Sequence, residues 1–320
     1  MRREMGEQPE VLERLLASGF RCDAGDVAGV VIVARGSSDH AAVYGRYLLE
    51  LATRRPVALA APSLYTRYGA RTDASGWLVV GVSQSGKTPE IVDVVRRLRD
   101  GGGKAIAITN DGTSPLAEAA EAVIELGAGE ERAVPATKTF TAQMAAFALL
   151  AASLGDVPWE ERDLARVPAS VAAVLEDPAP AADLATRWAD VQQLVVTARG
   201  WLYSAALESA LKIREAALVT ANGYSVADFL HGPIAAVDPG AAALALRAEG
   251  PAAADVDEAV AALRTRGADV AVLPAVTGVP EALAPIAASV RGQQLSLELA
   301  LRKGLDPDAP RGLNKVTITH

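Results

Sequence analysis

The sequence predicts an α/β protein of two repeated units, each a parallel, doubly wound, flavodoxin-like sheet flanked by helices. Three observations predict it: short apolar runs that end in polar loops, helical patterns alternating with those runs, and long-period self-similarity. Val30–Ala34 (VVIVA), Trp77–Val82 (WLVVGV) and Lys104–Thr109 (KAIAIT) have strand length and almost no polar interruption, the mark of strands covered on both faces. Helical patterns over residues 40–53 and 89–99 separate them, and strands alternating with helices build parallel sheets. VVIVARG ending at Gly36 returns as QLVVTARG ending at Gly200, and LRDGGGKAIAI from Leu98 returns as LRTRGADVAVL from Leu263. Two copies of one unit follow.

A chain of 320 residues suits two compact units at about 150 residues each. The stretch from Asp156 to Pro180, with Val157-Pro158 and Asp177-Pro178-Ala179-Pro180, reads as loop-like, since proline breaks helical pattern. The division is therefore expected near residue 165, giving units 1–165 and 166–320. Ala142–Leu154 is an Ala-rich apolar run too short to span a bilayer, which needs about 20 residues; it reads as a buried helix.

Net charge is −8 and the isoelectric point is near 5.1. No basic field is available for a nucleic-acid backbone, and a small anion has to be held by a local site. The single cysteine, Cys22, excludes an intrachain disulfide framework. With His40, His231 and His320 scattered, no metal set is expected. The opening MRREMGEQPE leads into no apolar h-region. A cytoplasmic protein without metal, organic cofactor, nucleic-acid or membrane partner is the expectation.

The copies differ in their strand-end loops. The first carries Ser37-Ser38 after its Arg-Gly and SQSGKT at residues 83–88. The second has Trp201-Leu202 and, in place of the serine turn, a loop around Asp238-Pro239-Gly240. One anion site per chain is expected. In SQSGKT, small hydroxyl residues and a glycine stand between a strand and a helix N-terminus, where free N–H groups and the helix dipole favour an anion. Ser83, Ser85 and Thr88 add hydroxyl donors, and Ser38, at the neighbouring strand end, can reach the same crevice. Two other readings stay open. Gly81-x4-Gly86-Lys87-Thr88 fits a nucleotide P-loop frame, although its first glycine lies inside the strand and extra glycines are missing. The turn also suits a plain helix cap, with Thr88 before Pro89 at the first helical position.

These residues resemble the SIS (sugar isomerase) domains, in particular the tandem-SIS isomerase half of glucosamine-6-phosphate synthase. The matching stretches are Arg35-Gly36-Ser37-Ser38, Ser83–Thr88, Val134–Thr141 (VPATKTFT), Ala206–Glu215 running on to Asp228–Pro233, and Pro310–Thr317 (PRGLNKVT). The resemblance implies that Ser38, Ser83, Gln84, Ser85 and Thr88 bind a sugar phosphate, and that Val134 and Ala136 touch the sugar. It implies that Glu215, with Lys212 beside it, moves a proton between C1 and C2. His231 opens the sugar ring from a partner subunit of a homodimer with shared active sites, and Lys315 approaches the ketose carbonyl. The residue types suit the chemistry: a tuned carboxylate for proton transfer, a cation for a developing enediolate, and histidine for ring opening near neutrality. Lys212 and Glu215, three apart, share a helix face, which fits equally a surface ion pair. His231 could equally be a loop residue, Lys315 a solvated charge, and Glu208 a supporting or dimer contact.

The sequence departs from the family pattern as well. It begins MRREMG with Cys22 as its single cysteine, so glutamine-derived ammonia by the family's cysteine mechanism is not expected. Lys87 stands where the family often has Glu, and Asp228-Phe229-Leu230 precedes His231 in place of Glu-Leu-Lys. The resemblance implies a stand-alone amino-sugar phosphate deaminase or isomerase. A plain aldose–ketose isomerase, a sugar-amine phosphate deglycase and a non-catalytic phosphosugar sensor are the alternatives.

Overall fold

The computed structural model describes residues 1–274 and 276–315. Two compact units divide the chain discontinuously. One comprises Glu10–Glu131 and Lys138–Glu160; the other comprises Met1–Pro9, Arg132–Thr137 and Glu161–Lys315. We propose 1–165 and 166–320 as the extents of the two sequence repeats.

The first unit contains β1 (Gly29–Val33), β2 (Val57–Leu59), β3 (Trp77–Val82), β4 (Lys104–Thr109) and β5 (Ala122–Glu125). They form one sheet in the order β2-β1-β3-β4-β5, with every pairing parallel. β1, β3 and β4 are the apolar runs seen in the sequence, and all five residues of β1 are buried. Chain order reverses between β1 and β3, so the loops after these two strands flank the sheet's switch point, where open α/β sheets bind ligands. The helix after β1 begins at Ser37, three residues earlier than its periodicity suggests, because Gly36 with φ +60° supplies the abrupt exit from the strand. It packs against the Lys138–Leu154 helix, whose residues from Lys138 through Ala151 are all buried. Contact is close enough that a Cβ on Gly45 would fall 2.4 Å from the Phe147 ring, so glycine is required there and the two helices are locked in register.

The second unit contains β6 (Gln193–Ala198), β7 (Thr220–Ser225), β8 (Ala242–Leu246) and β9 (Asp269–Leu273), ordered β7-β6-β8-β9 and again parallel throughout. Its core runs from Trp188 and Leu194 to Ile213 and Leu295. The Tyr203–Ala217 helix lies against the Ala284–Arg302 helix, where Gly292 approaches so closely that a Cβ would meet Ser209 Oγ at 2.0 Å.

Two sequence expectations are corrected. Residues 156–180 are largely helical: Glu161–Leu164, Val167–Glu176 and Ala179–Arg187 are helices. Pro168 and Pro180 stand in first turns, where the missing N–H is not needed and the fixed φ suits the helix. The counterpart of the serine turn is also not Asp238-Pro239-Gly240, which precedes β8. β8 pairs with β6 as β3 pairs with β1, and the loop after β8 is Arg247–Ala252. No helix among the described residues is long and apolar enough to cross a membrane.

Candidate active site

The candidate residues fall into two groups, one in each unit. In the first, the turn after β3 closes on itself. Gly86 N–H donates to the Ser83 carbonyl and to Ser83 Oγ, each at 3.2 Å, and Lys87 N–H donates to Ser85 Oγ at 3.2 Å. Gly86 has φ +62°, and a Cβ there would lie 2.0 Å from Ser114 Oγ; the turn needs glycine for its conformation and for its space. Thr88 occupies the N-cap position of the Pro89–Asp100 helix with proline in the first turn, yet its hydroxyl makes no cap bond and lies 3.2 Å from Ser83 Oγ. The Thr88 side chain thus caps no amide of the helix; Pro89 has no N–H, and the Ile91 and Val92 amides donate to the Thr88 carbonyl at 3.1 Å each, which leaves the Glu90 amide as the first-turn donor an anion can use. Lys87 pairs with Asp111 at 3.2 Å, outside the phosphate-gripping role a P-loop lysine would have. Hydrogen bonds, chiefly from Thr113, hold the Asp111 carboxyl below the usual range.

Ser38, 8% exposed, stands in the first turn after β1 and accepts a hydrogen bond from Gln143 Nε2 at 3.0 Å. The turn after β1 is tied to the helix after β3 by Arg35, whose guanidinium grips Glu90 at 3.0 and 3.3 Å. Burial raises the pKa of the neighbouring Asp39 carboxyl, against the opposing pull of His40 and Arg35. Ser38, Ser83, Gln84, Ser85 and Thr88 are thus gathered at the ends of two adjacent strands. Gln143 was not foreseen; a single amide inside the Ala-rich run after Thr141 was the available signal.

In the second unit, the Tyr203–Ala217 helix carries Lys212 with Glu208 one turn before and Glu215 one turn after. Lys212 Nζ lies 2.5 Å from Glu215 and 3.3 Å from Glu208; Lys212 and Glu208 are 1% exposed and Glu215 20%. The surface ion-pair reading is overturned, because the lysine is enclosed. Burial alone would depress its pKa, but the Glu208 and Glu215 carboxylates outweigh burial and leave the pKa above its ordinary value. Ser296 Oγ donates to the Lys212 carbonyl at 2.9 Å, fixing that turn against the Ala284–Arg302 helix.

Lys315 is not a freely solvated charge: its Nζ donates to the Ala133 carbonyl at 2.7 Å. The segment carrying Val134 and Ala136 is laced from several sides. The Glu4 carboxylate accepts from the Arg132 and Ala133 amides, Val134 N–H donates to the Asp308 carbonyl at 2.9 Å, and Gln293 Nε2 donates to the Thr137 carbonyl at 3.4 Å. Lys315 and the two sugar-contacting candidates are thereby brought together. His231 follows the Val226–Leu230 helix and is exposed.

The crevice at the end of the second sheet is differently furnished. Leu202, Leu246 and Leu273 line it together with Arg247 and Arg291. Arg247 is engaged by Asp257 and Glu249, and Arg291 by Asp177. Among the described residues no serine turn stands there.

Two parallel α/β sheets, one with a serine turn at its switch point and the other with Glu208, Lys212 and Glu215 on the helix after its first strand, define a tandem α/β protein. The chain belongs to the SIS domain family, whose pattern matches residues 27–153 and 189–283. It is 33% identical to the glutamine–fructose-6-phosphate aminotransferase (isomerizing) of Zymomonas mobilis, over 99% of this chain and 58% of that protein. The chain thus spans little more than half the length of that relative. A protein from Silicibacter pomeroyi, provisionally described as a phosphosugar isomerase, superposes with a TM-score of 0.87 at 32% identity, covering 96% of this chain and 99% of that one. The glucosamine-6-phosphate deaminase of Thermotoga maritima shares the fold at a TM-score of 0.81 and 20% identity, covering 99% of each chain.

Proposed function

We propose that the protein is a phosphosugar isomerase whose substrate is an amino-sugar or ketose 6-phosphate, with release of ammonia when the substrate carries a 2-amino group. The observation that carries this reading is Lys212, enclosed between Glu208 and Glu215. Enclosing such charges costs several kcal/mol per ion, and well-packed apolar residues often serve stability equally well. A carboxylate hydrogen-bonded to a buried ammonium is, however, what reversible proton transfer at carbon needs.

The phosphate rests on the serine turn: the Glu90 amide at the start of the Pro89–Asp100 helix and the hydroxyls of Ser38, Ser83, Ser85 and Thr88 donate to its oxygens, with Gln84 beside them. Val134 and Ala136 border the sugar. His231 transfers the proton that opens the ring; its exposure supports service to a neighbouring copy in a homodimer. Glu215 removes the C2 proton of the open-chain 2-amino aldose and returns it to C1 while a proton passes from the amine nitrogen to O1, which converts the aldehyde and amine into a 1-hydroxy-2-imine, the imine of the ketose. Water adds to the imine carbon, ammonia leaves, and the ketose phosphate remains. Lys212 stabilises the oxygen that gains charge as the proton moves. Lys315, once it leaves the Ala133 carbonyl, approaches the ketose carbonyl. The family membership and the likeness to the Silicibacter and Zymomonas proteins support the phosphosugar class; the likeness to the Thermotoga deaminase concerns the fold.

Incubation with glucosamine 6-phosphate, with ammonia and fructose 6-phosphate measured, tests the proposal. Turnover lost in Glu215→Gln supports it, and restored activity in a mixture of Glu215→Gln and His231→Ala chains supports shared sites. Tight binding without turnover across a panel of sugar phosphates would establish a sensor instead.

A further inference from the structure

Gln143 is 1% exposed, and from Ala142 to Ala152 it is the single polar residue of its helix. Its Nε2 donates to Ser38 Oγ at 3.0 Å, while its Oε1 is buried with no hydrogen-bond partner among the described residues. Leaving a buried acceptor unsatisfied costs free energy that a methionine or leucine of like bulk would avoid. The amide could in principle turn over, so that Oε1 accepted the Ser38 proton. Both N–H donors would then be stranded, against one N–H and the carbonyl in the observed orientation, so the count of unpaired groups would not fall, and the Ser38 proton would point into the protein.

We propose that Gln143 is a positioning residue of the phosphate crevice, acting through Ser38. A hydroxyl has one proton to give and two lone pairs. By donating to Ser38 Oγ, Gln143 fills a lone pair and leaves the hydroxyl proton for an outside acceptor. A phosphate dianion can only accept, so Ser38 helps it in this orientation and opposes it in the other. The helix register keeps the pair in place: Phe147, one turn beyond Gln143, sits on Gly45, two turns beyond Ser38, where no Cβ would fit. The unsatisfied carbonyl is then the cost of presenting a hydroxyl donor to an anion.

The inference rests on the sugar-phosphate reading, and the test separates the two. Dissociation constants for inorganic phosphate and for glucosamine 6-phosphate are measured by calorimetry on the unaltered chain, Gln143→Met, Gln143→Leu, Ser38→Ala and the Ser38→Ala/Gln143→Met double variant, with thermal melts as a fold check. Either Gln143 variant is expected to weaken both ligands about fivefold, and the double variant to bind no more weakly than Ser38→Ala alone, since residues acting as one unit are non-additive. Binding within twofold of the unaltered chain in both Gln143 variants would overturn the inference. So would a fivefold loss that persists undiminished when Ser38 is already alanine. Failure of the unaltered chain to bind either ligand would instead remove the sugar-phosphate reading, and this inference with it.

Discussion

Lys212→Met removes the cation from the Tyr203–Ala217 helix while keeping the side chain's bulk. At an effective dielectric constant of about 20, a unit charge at 3.3 Å, the Glu208 separation, interacts by about 5 kcal/mol, and one at 2.5 Å, the Glu215 separation, by about 6–7 kcal/mol. Ion desolvation takes back most of this, and breaking a buried pair from one side leaves a net loss of about 3–5 kcal/mol. The loss depends on pH with a definite sign. In the unaltered chain the Lys212 pKa is raised, so its contribution is fully present below the unfolded lysine value and fades only as pH climbs through the folded one. In the variant, Glu208 is a buried carboxylate deprived of its cation, and burial pushes its pKa up. Its folded form then holds a proton that the unfolded chain has released, and stability falls as pH rises. Urea unfolding of both chains at pH 8 and pH 5.5 should show the larger loss at pH 8. Glu208→Gln added to Lys212→Met should recover part of it. A loss below about 1 kcal/mol, or an equal loss at both pH values, would refute an enclosed, mutually dependent trio.

Other outcomes follow from single residues. Gly86→Ala forces a Cβ to within 2.0 Å of Ser114 Oγ at φ +62°; sugar-phosphate affinity measured by calorimetry should drop at least tenfold, with about 1–3 kcal/mol lost in urea unfolding. Arg54 caps the Ser37–Thr53 helix in the left-handed region at φ 54°, with an exposed ion pair to Asp156. Arg54→Gly should raise stability by about 0.5–1 kcal/mol, seen as a melting point higher by a few degrees. Burial pushes the Cys22 thiol up, against a hydrogen bond from Ser153 that lowers it. At pH 8 an aromatic disulfide reagent should modify Cys22 several times more slowly than free cysteine, with the rate rising about tenfold per pH unit until the raised pKa is reached.

Much of the fold is written in β1, β3 and β4, because strands buried on both faces need unbroken apolar sequence. β2 and β5, the edge strands, are three and four residues long and leave no comparable trace. The helices from Val167 to Arg187 were hidden by prolines that open helices as readily as they interrupt them. Ser38 and the serine turn could be placed from sequence because an anion loop between strand and helix has a local signature. The burial of Lys212 had none: i,i+3 and i,i+4 charge pairs look alike on a solvated face and beneath a covering helix, and the neighbouring Ala284–Arg302 helix lies some eighty residues away along the chain, with Ser296 reaching the Lys212 carbonyl across 84 residues. The loop after β8 was misplaced because a Pro-Gly pair drew attention to the wrong end of that strand.

The discontinuous second unit bears on how the chain leaves the ribosome. Residues 1–9 are made before the rest of that unit, yet Gln8 bonds to Gln293, 285 residues downstream, and Arg2 pairs with Glu298. At about 5–20 residues per second, the leading segment waits roughly 15–60 s for the helix it will join, while most of the unit bearing the serine turn has already been synthesised. Nascent chains halted before Ala284 should therefore leave Met1–Pro9 open to proteolysis, and chains released after Arg302 should protect it.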